Sequence, residues 1–401
     1  MTTDTSPAGA GLRGEQIVHF AQGPWHDIWR NRQHIFSRLA RDNTVLYVEP
    51  KVYWLADLRR GRVKSGAWRR PRLVPEADGL WLYRHPVWAP RTERPGLDGL
   101  TRGLRRLALR RAMAQLGIER PITWVFQVKD AELIGSLDER LIVCYVDDEY
   151  AAYRHHTPEM RQRILREEPR LLARAHLVIV TSRKLLESKA PYNPQTVFVP
   201  NGVDFAAFER AWQAGLPVPE DIRRLPRPIL GYSGHISLRL DLPLLAEIAR
   251  QRPTWSLALV GSVWEPGAEA ELASLRALPN VYFLGQKPAE QVPYYLPTFD
   301  VGLIPYRPGE EAQNINPIKL YEYLAAGIPI VSVDIPALEE YGQYVRIAGS
   351  PEDFLVGVEA ALQDRGAGQV EARRRLAAEN TWDQRVQQIS ALVQARLRAV
   401  N

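Results

Sequence analysis

Short apolar runs alternate with helix-patterned segments twice along this chain, once on each side of a proline-rich stretch at 213–228. That double alternation points to two domains, each with parallel strands joined by helical crossovers. In the first half, strands are expected at 17–21, 44–49, 122–128, 140–146, 176–181 and 196–200, with helices at 30–41 and 158–175. In the second half, strands are expected at 229–233, 256–260, 281–284, 301–305 and 328–333, with helices at 242–250, 290–296, 317–326 and 351–363. The stretch 382–400 reads as a long amphipathic helix. Residues 51–98, rich in Arg, Pro and Trp, break the alternation and read as irregular loops or a small insertion. The resulting division is a frayed tail at 1–16, a first domain at 17–212, a linker at 213–228, a second domain at 229–380 and a closing helix at 381–401.

A length of 401 residues suits two such domains better than one core. Cys144 is the only cysteine, which excludes an internal disulfide and a cysteine-based zinc site. No run approaches the roughly 18 to 20 apolar residues of a membrane span, and the first residues lack a basic-then-apolar signal pattern. The expectation is a cytoplasmic enzyme. Charge is unevenly placed: 51–120 holds 17 basic and six acidic residues, against +6 for the whole chain. Such a patch attracts anionic lipid, a phosphorylated substrate or nucleic acid. The last is disfavoured, because no nucleic-acid-binding motif accompanies the patch. The helix at 100–116 spaces Arg102, Arg106 and Arg110 on one face, and Trp54 and Trp68 lie upstream. This fits peripheral contact with the inner face of a membrane as well as an ordinary solvated face.

The segment 314–333, NINPIKLYEYLAAGIPIVSV, carries the most information. Asn316 suits a helix N-cap, Pro317 the first helical position, and Gly327 a left-handed stop before a buried strand. Lys319, Glu322 and Tyr323 then share one face. Free amides at the helix start favour a phosphate, and a carboxylate one turn on can accept paired hydrogen bonds from a ribose diol. A capped crossover helix with a surface Lys–Glu pair explains the same residues. Gly234, following a strand, would let backbone amides approach a diphosphate, and Arg239 offers a planar fork of donors. A tight turn and a solvated arginine are the plain alternatives. Asp147 and Asp148 end an apolar strand, where a carboxylate could take a proton from an attacking hydroxyl; helix capping is the alternative. Asp148 is favoured over Asp147 as the base, and His155 and His156 are weaker rivals. In the loop after the first strand, Trp25 or Trp29 could stack on a sugar ring, while His26 and Asp27 could meet diphosphate or acceptor.

The run Pro317-x-Lys319-x-x-Glu322-Tyr323-Leu324-Ala325-x-Gly327-x-Pro329 resembles the donor-binding helix of GT-B-fold glycosyltransferases, nearest to bacterial enzymes of teichuronic-acid and exopolysaccharide assembly. Val45–Pro50, Val146–Asp148, Val199–Asp204, Gly231–Gly234 and Phe299–Pro305 extend the resemblance over nearly the whole chain. It implies an α/β fold of two Rossmann-like domains facing across a cleft, with the C-terminal helix packing back on the first. It also implies a nucleotide-diphosphate sugar donor and a glycan or polyprenyl-linked acceptor. The donor site would include Gly234, His235, Arg239, Gly285, Asn316, Lys319, Leu320 and Glu322. Arg239 and Lys319 together would replace the metal used by other transferases, so no cofactor is expected. Related retaining enzymes carry two glutamates eight positions apart; Glu322 matches the second, and the first falls on Asn314. A sugar-nucleotide epimerase of the same fold and a non-catalytic nucleotide-sugar-binding protein are the alternative functions.

Overall fold

The computed structural model describes residues 11–50, 72–86, 88–90, 97–364 and 366–400. The first sheet contains β1 (Gln16–Phe20), β2 (Thr44–Val48), β3 (Leu73–Ala77), β4 (Leu80–Tyr83), β5 (Ile122–Val125), β6 (Leu141–Val146), β7 (Leu177–Val180) and β8 (Thr196–Phe198). Their order is β3-β4-β2-β1-β5-β6-β7-β8, and every pair is parallel except β3 with β4. The second sheet contains β9 (Ile229–Ser233), β10 (Ser256–Val260), β11 (Val281–Gly285), β12 (Val301–Ile304), β13 (Ile330–Val333) and β14 (Val345–Ala348). It runs β11-β10-β9-β12-β13-β14 and is wholly parallel. This is a doubly wound order, in which the crevice opens at the carboxyl ends of β9 and β12. Helices cover both faces, which is why β6 (LIVCYV) and β10 (SLALV) are buried at every position and carry no polar–apolar alternation.

Three departures from the sequence reading have local causes. Residues 73–83 are not irregular: they form the hairpin β3–β4, and β4 pairs parallel to β2 inside the sheet. The turn needs Gly79, whose φ is +73° and whose position would drive a Cβ to 2.1 Å from the Ala40 carbonyl oxygen. The strand β14 was not anticipated either; its middle residues Arg346 and Ile347 are exposed, so it lacks a buried apolar run. Finally, the chain enters the second domain before the proline-rich stretch. Val203 and Phe208 already belong to the second core, as does Ile222 from within 213–228.

The helix Trp382–Val400 packs back on the first domain, as the resemblance implied. Its Trp382, Val386, Ile389, Val393 and Leu397 join the core that contains Ile17, Val45 and Tyr145. Arg38 donates to Asp383 at 2.9 Å and the His34 ring stacks on Trp382 at 5.2 Å. The two domain crossings lie side by side, with Val203 N donating to Asn380 O and Trp382 N to Val203 O, both at 3.0 Å. Gly202 permits this approach, since a Cβ there would lie 2.9 Å from the Thr381 carbonyl carbon.

Candidate active site

A cleft of about 970 Å³ separates the two sheets at their carboxyl ends. From the second domain, β9 runs into Gly234, whose φ of +141° turns the chain away from the strand. The helix Ile318–Ala326 starts beside it, with Pro317 in extended conformation as N-cap and Gly327 (φ +73°) as the left-handed stop. Asn316 is therefore not the cap, and the helix begins one residue later than expected. Lys319 reaches over the Tyr232 ring at 5.2 Å. Its ammonium occupies space that a side chain at Gly234 would fill, a Cβ there falling 2.5 Å from Lys319 Nζ. No ion pair is made to Lys319 among the described residues. Glu322, one turn on, is half-buried; burial pushes its carboxyl up, and the Lys319 ammonium opposes that shift. Tyr323 points away from the cleft, accepting from Ser233 N at 3.1 Å and donating to Leu303 O at 3.2 Å, so it ties the helix to β9 and β12.

From the first domain, β6 delivers Asp147 and Asp148. Asp147 is raised to about 6, first by burial and then by the neighbouring Asp148 charge, against the opposing hydrogen bond from Tyr150. Asp148 is buried; its Oδ2 accepts from Tyr153 at 2.7 Å and from Arg239 at 2.6 Å. Its Oδ1 is buried and takes no hydrogen bond from the described residues. Arg239, from the second domain, also donates through Nε to Glu311 at 2.5 Å and stacks over Tyr153 and Tyr306. One guanidinium thus joins an acid of each domain.

The structure brings Asp147, Asp148, His26, Asp27, Gly234, His235, Arg239, Asn316, Lys319 and Glu322 to the cleft lining. Three of the anticipated residues, Trp25, Leu320 and Gly285, are not in that lining. Trp25 is buried in the first core, 5.1 Å from the Tyr47 ring, with its amide held by Glu49; of that pair, Trp29 faces the cleft. Leu320 is fully buried in the second core, because one position after Lys319 the helix has turned to its apolar face. Gly285 ends β11 with φ +72°, and its neighbours Gln286 and Lys287 line the cleft. Asn316 reaches the cleft wall but is buried and committed: its Oδ1 accepts from Asn201 N, its carbonyl from Asn201 Nδ2, and Asn31 donates to Asn201 in turn. That asparagine chain sews the two domains together.

His235 is lowered to about 4, first by burial and then by Arg30, and shares a hydrogen bond with Ser262 at 2.8 Å. His155 and His156 are also lowered, burial being the first cause in each. His26 is exposed and lies 3.3 Å from Glu76. Residues that sequence reasoning did not assign to the site are Glu311, Tyr153, Arg30 and Trp264. Glu311 lies three positions before Asn314, where the first glutamate of the retaining pair would fall, and so out of register with that pattern. Arg30 and Trp264 sit in loop positions that no motif marks.

The architecture is the GT-B fold, two Rossmann-like domains around a cleft. Residues 229–364, most of the second domain, match the family Glycosyl transferases group 1. TuaH of Bacillus subtilis (strain 168), whose name assigns it to the glycosyltransferases of teichuronic acid biosynthesis, is 30% identical over 235 residues. That match covers 56% of this chain and 58% of TuaH, so it spans less than two thirds of the relative. Sucrose-phosphate synthase from Thermosynechococcus elongatus superposes with a TM-score of 0.69 at 17% identity, over 96% of this chain and all (100%) of that one. HepE of Anabaena, solved with UDP and glucose, gives a TM-score of 0.66 at 14% identity over 95% of this chain and 100% of its own. No helix of the described residues is long and apolar enough to cross a membrane.

Proposed function

We propose that the chain is a glycosyltransferase that moves a sugar from a nucleoside-diphosphate sugar to a hydroxyl of a glycan or lipid-linked acceptor in cell-surface polysaccharide synthesis. The observation that carries this reading is Lys319: an ammonium without an ion pair among the described residues, set in the cleft where Gly234 leaves room for it. A cation so placed is suited to the diphosphate, whose charge grows as the glycosidic bond breaks. Arg239 is the second cation of this site, Glu322 takes the ribose hydroxyls, and Asp148 accepts the acceptor's proton, with Asp147 as the fallback. The nearby relative TuaH supports the polysaccharide setting, and the UDP in HepE supports a nucleotide donor. With Lys319 and Arg239 supplying positive charge, turnover needs no divalent metal. The acceptor would approach along a cytoplasmic membrane surface, which the helix Leu97–Gln115 suits: Leu97, Leu100 and Leu107 are exposed on it beside Arg102 and Arg106. Lys51, Arg59, Arg60, Arg62, Lys64, Arg69, Arg70, Arg91 and Arg94 of the basic patch, with Trp54 and Trp68, lie outside the described residues.

Thermal-shift screening against UDP-, GDP-, ADP- and TDP-sugars identifies the donor, followed by calorimetry on Lys319→Ala and Glu322→Gln. Both variants should bind the selected donor more weakly while melting like the wild type. Transfer should survive EDTA, and removal of Lys319 should cost about 100-fold or more in turnover. Unchanged affinity in both variants, or activity abolished by chelation and restored by magnesium, would overturn the assignment.

A further inference from the structure

Arg239 is held from both sides of the cleft. Its Nη2 holds Asp148 across the domain boundary, its Nε holds Glu311 on its own side, and Tyr153 and Tyr306 lie against it. Two carboxylates share this single guanidinium, so the cluster carries a net negative charge if both are ionised. The two bonds are unequal in mobility. Glu311 binds at Nε, near the stem, and fixes the pivot; Asp148 binds at the outer Nη2, the part that swings when the last torsions change. Lys319 stands near enough for the two cations to repel one another, and both act on the Tyr232 hydroxyl. Two cations facing a common opening, one of them without an ion pair among the described residues, form a seat for an anion with more than one charge.

We propose that Arg239 is a switch contested by two anions, Asp148 and the donor's diphosphate, with Glu311 as the positioning residue that holds its pivot. On Asp148 the guanidinium neutralises the carboxylate that would accept the acceptor's proton. A diphosphate seated at Lys319 draws the outer end of Arg239 toward itself and leaves that carboxylate open, with Tyr153 still holding its Oδ2. The base is thereby available only when a donor is in place. This rests on the donor reading given above and adds a coupling to it: Asp148 and diphosphate must oppose each other's hold on Arg239.

Opposition of this kind has an unusual signature. Removing the base should tighten donor binding. Affinities for UDP, and for inorganic pyrophosphate as a base-independent probe, are measured by calorimetry on the full chain. The proteins are the wild type, Asp148→Asn, Arg239→Ala and the double variant. Asp148→Asn should bind both probes about 5-fold or more tightly than the wild type, a typical size for coupled sites. In the Arg239→Ala background the same substitution should give only a slight gain, well under the wild-type effect. That control matters, because deleting any acid from the cleft favours an anion slightly. Glu311→Gln supplies a second route, loosening the pivot and also tightening pyrophosphate, and it decides the matter should Asp148→Asn fail to fold. Equal or weaker binding by Asp148→Asn, with Lys319→Ala still losing affinity, would overturn the switch and leave the donor site standing. A gain of undiminished size without Arg239 would overturn it too. Wild-type chain that binds neither probe, with Lys319→Ala no different, would overturn the donor reading and the switch together.

Discussion

Asp147 and Asp148 are adjacent on one strand end, yet their surroundings give them different chemistry. Asp148 is held by Arg239 and Tyr153 at 2.6 and 2.7 Å and faces the opposite domain. Asp147 has no cation bonded to it among the described residues and is raised to about 6 by burial and by its neighbour. A carboxyl whose folded pKa exceeds its unfolded value loses stabilisation as pH rises through that interval. Asp147 should therefore weaken the fold above pH 6. Asp147→Asn is expected to raise stability by about 1–2 kcal/mol at pH 7.5, allowing for its partial exposure to the cleft, and to give no gain near pH 4. Urea melts at the two pH values check this, and a gain equal at both would contradict it. In transfer assays the order reverses. Asp148→Asn should lose about 100- to 10,000-fold in rate, the usual contribution of a positioned base, while Asp147→Asn keeps most of its activity. Near-normal transfer by Asp148→Asn would move the base elsewhere.

At the scale of elements, the helix Ile318–Ala326 was legible because its signals are local: a proline at its start, a glycine at its stop and polar residues one turn apart. The helix Trp382–Val400 was legible for the same reason. What could not be read were contacts between distant segments. The sequence gives no sign that Arg239 meets a residue 91 positions away, or that Asn31, Asn201 and Asn316 meet at all. Trp25 and Trp29 looked equivalent, since an aromatic near a strand end does not declare which side of the loop it takes. The hairpin β3–β4 was hidden by Pro75, which an edge strand tolerates. The asparagine chain carries its own expectation. Asn201→Ala leaves the buried Asn31 amide and the Asn316 carbonyl without these partners, costing about 1–3 kcal/mol in chemical denaturation. An unchanged midpoint would show that solvent replaces them. The helix Leu97–Gln115 carries another. Its exposed leucines and arginines should bring the chain up with anionic liposomes in flotation. Binding should fade as salt rises, because the Debye length is only about 10 Å at 0.1 M. Flotation indifferent to both lipid charge and salt would remove the membrane from the proposal.

At the scale of the whole molecule, the two domains are held in register by the chain crossing twice and by the C-terminal helix returning to the first core. The junction contains a titratable group. His34 lies in the first helix, stacked on Trp382 at 5.2 Å with the rings 10° from parallel, and Trp382 is fully buried where the returning helix begins. Burial first, and the Arg38 charge second, lower His34 to about 3. Its ordinary value is 6.5, so between pH 6.5 and about 3 the unfolded chain binds a proton that the folded chain refuses. Stability contributed by the neutral ring is complete above pH 6.5 and falls as pH drops below it, by up to about 1.4 kcal/mol per pH unit for one such group. His19, fully buried at the centre of the first sheet and also lowered by burial, adds to the same slope. The test compares His34→Phe, which keeps a stacking ring and removes the titration, with the wild type. At pH 7.5 the two should unfold at similar urea concentrations. At pH 5 the variant should be the more stable by about 1–2 kcal/mol, and the difference should grow steadily below pH 6.5. Parallel stability curves for the two proteins across that range would mean that protonation of His34 is accommodated in the folded state, and the coupling between acid and the docking of the C-terminal helix would be lost.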